Sequence, residues 1–302
     1  MRLLLIANVE AQAVTPRAAA VVLRTLAADL EVDLIHTTHP GHATDLAREA
    51  RGTVEMVVAM GGDGTVNEVA NGLAGSDVTL GIVPGGGANV FARSLGIPRD
   101  PVEATRLLVA RRERRGRRVT LGRALGRHFL FACGIGLDGA VVRRVERRRP
   151  VRKALGQLSY VWAGLTQIAR FDRRHPKLAV RWGASLEHRR SRIFVAIAQN
   201  TDPFTYLGAL PMRLSPTAGL ETGLDLVGLA RAGIPTILGV AAGAFRGRGR
   251  HLERDAVLHV RDQARIEVRS EVPLPVQMDG EYVGDHELLE LEAVPGALSL
   301  AY

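Results

Sequence analysis

Residues 61–65 of this chain have the sequence Gly-Gly-Asp-Gly-Thr and separate an apolar run from a segment with helical spacing. The apolar run, Val54 to Met60, has the length of a buried strand, and the predicted helix extends from Val66 to Leu73. Glycines at a switch from strand to helix let the backbone approach a ligand closely, with N–H groups pointing outward. The usual ligand of such a turn is a phosphate, and the Asp63 carboxylate can orient a ribose hydroxyl, a water or Mg²⁺.

A second glycine-rich stretch follows the next apolar run, Val78 to Val83. Residues 84–93 have the sequence Pro-Gly-Gly-Gly-Ala-Asn-Val-Phe-Ala-Arg, again a strand end, a turn and a helix start. Neighbouring parallel strands place such turns at one edge of the sheet, where ligands of open α/β sheets bind. An isolated glycine turn is often only a turn, but two at one edge predict a cradle for phosphates.

The alternation of strands and helices defines the predicted organisation. Up to residue 117 it is regular, which predicts a parallel sheet wrapped by helices. From residue 118 onward the chain is mostly short strands, apart from a basic amphipathic helical stretch from Gly139 to about Arg170. Individual strands are predicted over Arg2 to Ala7, Glu31 to His36 and Leu224 to Leu229, and a helix start at Thr15 and Pro16. Residues Arg118 to Arg123 and Arg127 to Cys133 are predicted to form a hairpin around Leu125 and Gly126. We predict an α/β domain over 1–117 and a mainly antiparallel β-sandwich domain over 118–293, with 294–302 completing the first domain.

Composition limits the cellular setting. The 302 residues contain no uninterrupted apolar run of transmembrane length and no basic-then-apolar leader, which favours a cytoplasmic protein. The one cysteine, Cys133, lies in an apolar run and is expected to be a small core residue rather than a nucleophile.

Arginine dominates the formal net charge of +9. It is concentrated at residues 111–118 and 143–153, which favours anionic partners. Nucleic acid is not expected, since the chain has no helix-turn-helix, zinc-finger or aromatic-rich RNA-binding signature. An anionic membrane surface is the preferred partner, because each Lys or Arg near anionic lipid contributes about 1 kcal/mol.

The motifs resemble, in order along nearly the whole chain, those of the diacylglycerol kinase family, which includes sphingosine kinases and soluble bacterial lipid kinases. Residues 61–68 and 84–93 are the more specific matches. Weaker ones are Thr37 with Gly41 to Ala43, Gly134 to Asp138, and Asp279 to Glu281. NAD kinases share the Gly-Gly-Asp-Gly-Thr element and are the natural competitor.

The resemblance implies an NAD kinase/diacylglycerol kinase-like fold and an ATP-dependent kinase, with Mg²⁺ carried by ATP. The γ-phosphate would pass to a lipid hydroxyl, on diacylglycerol or a related lipid, between the two domains. This implies a role in lipid metabolism and phospholipid biosynthesis, at the inner membrane face, and leaves a homodimer open. Asp279 would accept the proton, with Glu281 beside it. The positions matching nucleotide-binding motifs are Asn8, Thr37, Gly61, Gly62, Asp63, Gly64, Thr65, Asn67, Glu68, Gly86, Gly87 and Asn89. Among them, Thr65 is expected to donate its hydroxyl to the phosphates.

Three departures from the family pattern keep other functions open. Gly87 stands where the family usually has threonine, Val9 replaces a proline after Asn8, and Thr222 replaces the aspartate of an Asp-Gly-Leu stretch that lends a metal or water site. Threonine is a poor Mg²⁺ ligand, so no protein metal site is assigned. The alternatives are an NAD kinase-like phosphotransferase and a non-catalytic nucleotide- or lipid-binding protein.

Overall fold

The computed structural model describes residues 2–11, 14–112, 116–146 and 175–302. Within it the chain divides into a first unit, residues 1–121 and 295–302, and a second unit, residues 122–294. The predicted helical stretch beyond residue 146, most of the 143–153 arginine cluster and residues 113–115 of the other cluster lie outside the described residues.

Strands and helices alternate in the first unit. Its elements are β1 (Arg2–Ala7), α1 (Pro16–Ala27), β2 (Glu31–His36), α2 (His42–Glu49), β3 (Met56–Gly61), α3 (Asp63–Leu73), β4 (Thr79–Pro84), α4 (Val90–Ser94) and α5 (Pro101–Ala110). The strands lie in the order β2-β1-β3-β4, and every neighbouring pair is parallel. All six residues of β3 are buried, as expected for a central strand covered on both faces.

Local capping explains where two of these helices begin. Thr15 is the N-cap of α1, and its hydroxyl accepts a hydrogen bond from the Ala18 N–H. Pro16 follows as the first helical residue, as the sequence predicts. The Asp100 carboxylate accepts from the N–H groups of Val102 and Glu103 at 2.9 Å each and so caps α5.

Helix α3 differs from the sequence prediction at its start. It begins at Asp63, three residues before Val66. Residues 63–65 are therefore the first turn of the helix rather than part of a loop. The periodicity of the apolar residues could not show this, because none of these three residues is apolar.

The second unit is mainly antiparallel. Its elements are β6 (Arg127–Phe129), β7 (Ala132–Gly136), α6 (Leu137–Glu146), β8 (Leu178–Trp182), β9 (His188–Ile193), β10 (Val195–Gln199), β11 (Thr205–Leu207), β12 (Leu210–Met212), β13 (Leu224–Leu229), α7 (Ile234–Arg246), a short 3-10 helix (Arg250–Glu253), β14 (Val257–Gln263) and β15 (Arg265–Met278). The strand β16 (Glu281–Leu300) pairs with β15, and the order is β14-β13-β10-β7-β15-β16. Strand β8 lies between β15 and the edge strand β9.

Two strands contain residues of both units. Strand β5 (Arg117–Ala124) forms the predicted hairpin with β6 around Leu125 and Gly126, whose φ angles of 51° and 74° suit a tight two-residue turn. At its far end, β16 lies parallel to β4, with Ser299 opposite Thr79.

The predicted strand Arg127 to Cys133 is wrong, because it divides into β6 and β7. The N–H groups of Leu130, Phe131 and Ala132 bind the Asp279 carboxylate. These hydrogen bonds hold the residues between the end of β6 and the start of β7 against the Asp279 side chain.

Cys133 is buried in the apolar core of the second unit, together with Ile135, Val268 and Leu291. Burial raises the pKa of its thiol, and the nearby Asp279 and Asp138 carboxylates raise it further. The prediction of a core cysteine is confirmed. Among the described residues, no helix is long and apolar enough to cross a bilayer.

Candidate active site

The predicted nucleotide-binding residues of the first unit lie where four parallel strands end. Asn8 follows β1 and donates its backbone N–H to the Met60 carbonyl on β3 at 3.0 Å. Thr37 follows β2 and donates to the Ala7 carbonyl on β1, also at 3.0 Å. The two glycine turns follow β3 and β4, so the structure brings the whole set to one edge of the sheet.

The two glycine turns touch each other through their backbones. The Gly85 N–H donates to the Gly61 carbonyl at 2.7 Å. A Cβ placed on Gly86 would lie 2.7 Å from the Gly62 Cα, closer than real Cβ atoms come to other atoms. The turns can pack this closely only without side chains at the point of contact.

A hydrogen bond between the side chains of Asn8 and Thr65 stabilises the first glycine turn. The Asn8 side-chain amide donates to the Thr65 hydroxyl oxygen at 3.0 Å, and Thr65 is buried. A Cβ on Gly61 would lie 2.5 Å from that same oxygen. The hydroxyl therefore faces the inside of the turn, whereas the sequence suggested a donor to phosphate.

Asp63 and Asn89 hold the second turn. The Asp63 carboxylate accepts from the Phe91 N–H at 3.0 Å and so caps α4. Burial raises the pKa of Asp63, opposed by backbone hydrogen bonds, of which that from Phe91 is the largest. Asn89, with φ of 48°, accepts from the Gly86 N–H at 2.9 Å and donates to the Gly86 carbonyl at 2.7 Å.

Glu68 and Asn67 also make contacts within the protein. A Glu68 carboxylate oxygen accepts from the Ala43 N–H at 3.2 Å, in the first turn of α2. Buried Asn67 accepts from the Asn71 side-chain amide at 3.1 Å on the same helix. Glu68 thus links α3 to α2, a role the sequence did not suggest.

Two glycines expose backbone at this edge of the sheet. Gly62, the N-cap residue of helix α3, provides no side-chain cap. Gly64 in the first turn is exposed, with nothing within 4 Å of a Cβ built on it. Gly87 of the second turn is exposed as well. The N-terminal N–H groups and the dipole of an uncapped helix favour an anion at this position.

In the second unit, Asp279 and Glu281 flank the turn between β15 and β16. Asp279 and Gly280 have φ angles of 50° and 79°, as a tight hairpin turn requires. The Asp279 carboxylate accepts three backbone N–H bonds, from Leu130 at 2.6 Å, Phe131 at 2.9 Å and Ala132 at 3.1 Å. The Glu281 carboxylate pairs with Arg127 at 2.7 Å.

A further carboxylate, Asp138, is connected to this turn through Gln277. The Gln277 side chain donates to Asp138 at 2.7 Å and accepts from the Gly280 N–H at 2.8 Å. Burial raises the pKa of Asp138 to about 6, although the Gln277 hydrogen bond opposes this. Sequence analysis placed Asp138 in a family-like stretch without a role; only the structure shows its link to the 279–281 turn.

The Thr222 hydroxyl and the Asp225 carboxylate both have hydrogen-bond partners within the protein. The Thr222 hydroxyl lies 3.0 Å from the Gly219 carbonyl and 3.2 Å from the Gly223 carbonyl. Buried Asp225 accepts from the Ser215 and Thr217 hydroxyls. Within the described parts of the chain, no group of three or more His, Cys, Asp or Glu could hold a metal ion.

Comparison with known proteins agrees with this fold. Residues 2–121 match the diacylglycerol kinase catalytic domain, and residues 132–302 match the YegS C-terminal NAD kinase beta sandwich-like domain. A diacylglycerol kinase of Bacillus subtilis (strain 168) is 30% identical over 252 residues, covering 82% of this chain and 78% of that protein. A "Probable lipid kinase YegS-like" protein of Xanthomonas euvesicatoria pv. vesicatoria is 30% identical over 288 residues, covering 90% and 86%.

Solved structures share the fold over the whole chain. A diacylglycerol kinase structure from Bacillus anthracis str. Sterne has a TM-score of 0.73 at 23% identity, covering 100% of this chain and 96% of that one. Another structure from the same organism has a TM-score of 0.78 at 25% identity, covering 100% and 97%.

An α/β unit with paired glycine turns, joined to an antiparallel β unit, defines a nucleotide-dependent phosphotransferase class. The chain belongs to the diacylglycerol kinase and YegS-like family of lipid kinases, which use ATP. The resemblance seen in the motifs and the predicted fold class are confirmed.

The Asp279 contacts predict a structural effect of Asp279→Asn. The new NH₂ group would face a backbone N–H, leaving donors unpaired, which costs about 1–3 kcal/mol of unfolding free energy. Thermal unfolding should therefore shift to a lower temperature. The matched control, Glu281→Gln, removes only a surface ion pair and should cost at most about 1 kcal/mol. An unchanged midpoint in Asp279→Asn would contradict this account of the turn.

Asp138 predicts a pH dependence of stability. Its pKa is about 6 in the folded protein, against an ordinary aspartate value of 3.8, so its stabilising contribution is complete below 3.8 and lost as pH rises through about 6. The difference corresponds to about 3 kcal/mol. Asp138→Asn should therefore gain stability relative to the parent between pH 4 and pH 7, measured by urea unfolding. A difference that stays constant with pH would refute the assignment.

Proposed function

We propose that this protein transfers the γ-phosphate of ATP to the hydroxyl of a lipid, with diacylglycerol as the first acceptor to test. The observation that carries the proposal is the backbone contact between the two glycine turns beside the uncapped start of α3. Membership of a lipid kinase family supports the acceptor class.

Under this proposal, backbone N–H groups of the α3 first turn and of Gly87 bind the ATP phosphates, while the Gly86 N–H stays bonded to Asn89. The polar side chains around them hold the turns in place: Asn8 with Thr65, Asp63 with the start of α4, and Asn89 with Gly86. Because these bonds hold the two turns from within the protein, the N–H groups need little rearrangement when charge develops on the transferred phosphoryl group. Thr37, which ends the neighbouring strand β2, is proposed to contact the nucleotide.

Mg²⁺ enters this scheme as part of the substrate, bound to the ATP phosphates. Mg²⁺ commonly takes one or two carboxylates together with substrate phosphates rather than an all-protein cage. At the loop around Thr222, the threonine hydroxyl lies against two carbonyls and the Asp225 carboxylate is held by other donors. We assign no Mg²⁺ site to this loop.

Asp279 is proposed as the base. The lipid oxygen attacks the γ-phosphorus, the bond from that phosphorus to the β,γ-bridging oxygen breaks, and the hydroxyl proton passes to the carboxylate. The three N–H bonds from residues 130–132 fix the orientation of the Asp279 carboxylate. We propose that the protein works at the inner membrane face, where such acceptors are found.

The deciding experiment is phosphate transfer from Mg·ATP to lipids in mixed micelles, read by mass. We expect a phosphorylated product from diacylglycerol or from a sphingoid base, glycolipid or polyprenol in the same panel. NAD is included as a competing acceptor, and phosphorylated NAD would replace this proposal with an NAD kinase-like activity. If ATP binds but no acceptor is phosphorylated, the result would favour a non-catalytic binding protein. The departures from the family pattern at Gly87 and Thr222 would then account for the missing activity.

Gly64→Ala tests whether the first turn binds the nucleotide. Nothing in the fold requires glycine here, because a Cβ would meet open space, so the free energy of unfolding should stay equal or rise by about 0.5–1 kcal/mol. The added methyl group would meet the phosphates, so the KM for ATP should rise at least about tenfold, or about 1.4 kcal/mol. Gly219→Ala, with its nearest neighbour at 3.9 Å, is the matched control and should leave KM unchanged. Equal KM values for ATP in the two variants would show that ATP does not bind at this turn.

A further inference from the structure

Helix α7 carries two apolar stripes on different faces. Ile237, Val240 and Ala244 are buried in the second unit. Ile234, Leu238 and Phe245 are 43%, 50% and 39% exposed. Their spacing of four and seven residues places the exposed three on one face of the helix. A helix packed on a single core needs only one apolar stripe, so the second needs its own explanation.

A neighbouring hairpin extends the exposed stripe. Leu210 in β12 is 62% exposed, the highest value among the large apolar side chains of the described residues, and β12 contacts α7. We call Leu210, Ile234, Leu238 and Phe245 the α7 surface. These four are nearly half of the nine exposed large apolar side chains in the described part of the chain. Apolar side chains concentrated in this way mark an interaction site.

Exposed arginines adjoin the α7 surface in sequence. They are Arg231, Arg246, Arg248, Arg250 and Arg254. None of them takes part in an ion pair with another described residue. The Arg254 guanidinium lies against α7, since a Cβ on Gly239 would meet one of its nitrogens at 2.8 Å. With Glu253 and Asp255 included, residues 231–255 keep a net charge of +3.

Three arginines of the clusters singled out by sequence have partners within the protein. Arg118 pairs with Asp77, and Arg143 pairs with Asp285 at 3.0 Å. Arg117 lies over the Tyr302 ring. Because these guanidinium groups already have partners within the protein, the arginines beside α7 are the better candidates for an external anion.

We propose that the α7 surface docks on an anionic lipid bilayer, with α7 lying in the plane of the membrane interface. An apolar face flanked by cations matches a bilayer, whose acyl chains and anionic head groups lie at successive depths. The 13 residues of α7 are too few to span a bilayer, which needs about 20. The helix therefore lies on the membrane rather than crossing it.

This inference goes beyond the proposed kinase activity and does not depend on it. It concerns attachment of the protein to the membrane surface and involves none of the residues proposed to bind ATP or accept the proton. Binding can be measured without nucleotide and without turnover. Failure of phosphate transfer and failure of docking are therefore separate results.

The experiment is co-sedimentation of the full chain with vesicles of phosphatidylglycerol and phosphatidylcholine, without ATP. We expect the double variant Leu238→Ser/Phe245→Ser to bind about tenfold more weakly or worse, because about half of each side chain is available for burial. Arg246→Gln/Arg248→Gln should lose about fivefold per arginine at low salt, and this difference should shrink at high salt. The parent should bind pure phosphatidylcholine vesicles less tightly.

Matched controls distinguish vesicle binding by the α7 surface from nonspecific hydrophobic or electrostatic binding elsewhere on the protein. Leu288→Ser removes an apolar side chain that is 38% exposed on β16 and should leave binding unchanged. Arg189→Gln/Arg190→Gln removes two exposed arginines from β9 and should change binding less than Arg246→Gln/Arg248→Gln does. Circular dichroism spectra and unfolding midpoints equal to the parent's would show that the variants are folded.

Three results would overturn the proposal. The first is a parent protein that does not bind the anionic vesicles. The second is an equal loss of binding in the controls and in the α7 variants. The third is a parent dimer, seen by analytical ultracentrifugation, that dissociates in Leu238→Ser/Phe245→Ser while vesicle binding is unchanged. That result would assign the α7 surface to a second copy of the chain.

Discussion

The hydrogen bond from the Gly85 N–H to the Gly61 carbonyl, at 2.7 Å, joins the ends of two neighbouring parallel strands. The rest of the candidate site depends on this closeness. It excludes side chains where Gly62 meets Gly86 and fixes the start of α3 relative to the second turn. The packing of β3 and β4 places the N–H groups that are proposed to bind phosphate, and side-chain hydrogen bonds then hold the two turns in place.

Most polar residues at this edge support the backbone that is proposed to bind the ligand. Asn8 holds Thr65, Asp63 caps α4, and Glu68 reaches the start of α2. In the second unit the roles are reversed, because backbone N–H groups hold the Asp279 carboxylate. Motif residues in this family can therefore act by positioning the backbone, and substitutions at them affect folding as well as binding.

Local sequence patterns predicted much of this structure. Strands β1, β2 and β13 have the bounds predicted from apolar runs, and Thr15 caps α1 as expected. The start of α3 and the division between β6 and β7 were missed because polar contacts determine them. The Asp279 bonds connect residues up to 149 positions apart, and no local pattern encodes such a contact. The edge with the nucleotide-binding motifs was predictable, but the internal partners of its side chains were not.

Strand β16 pairs with β4, which lies far from it in the amino-acid sequence. Its final residues supply the neighbour of β4, although they are synthesised more than 200 positions later. A nascent chain that has emerged only as far as residue 121 presents β4 as an open edge, the kind of strand that pairs with other chains and aggregates. The first unit is thus not an interchangeable module that could be moved between proteins by a simple cut at residue 121. Gene fusion or recombination must carry the distant strand with it.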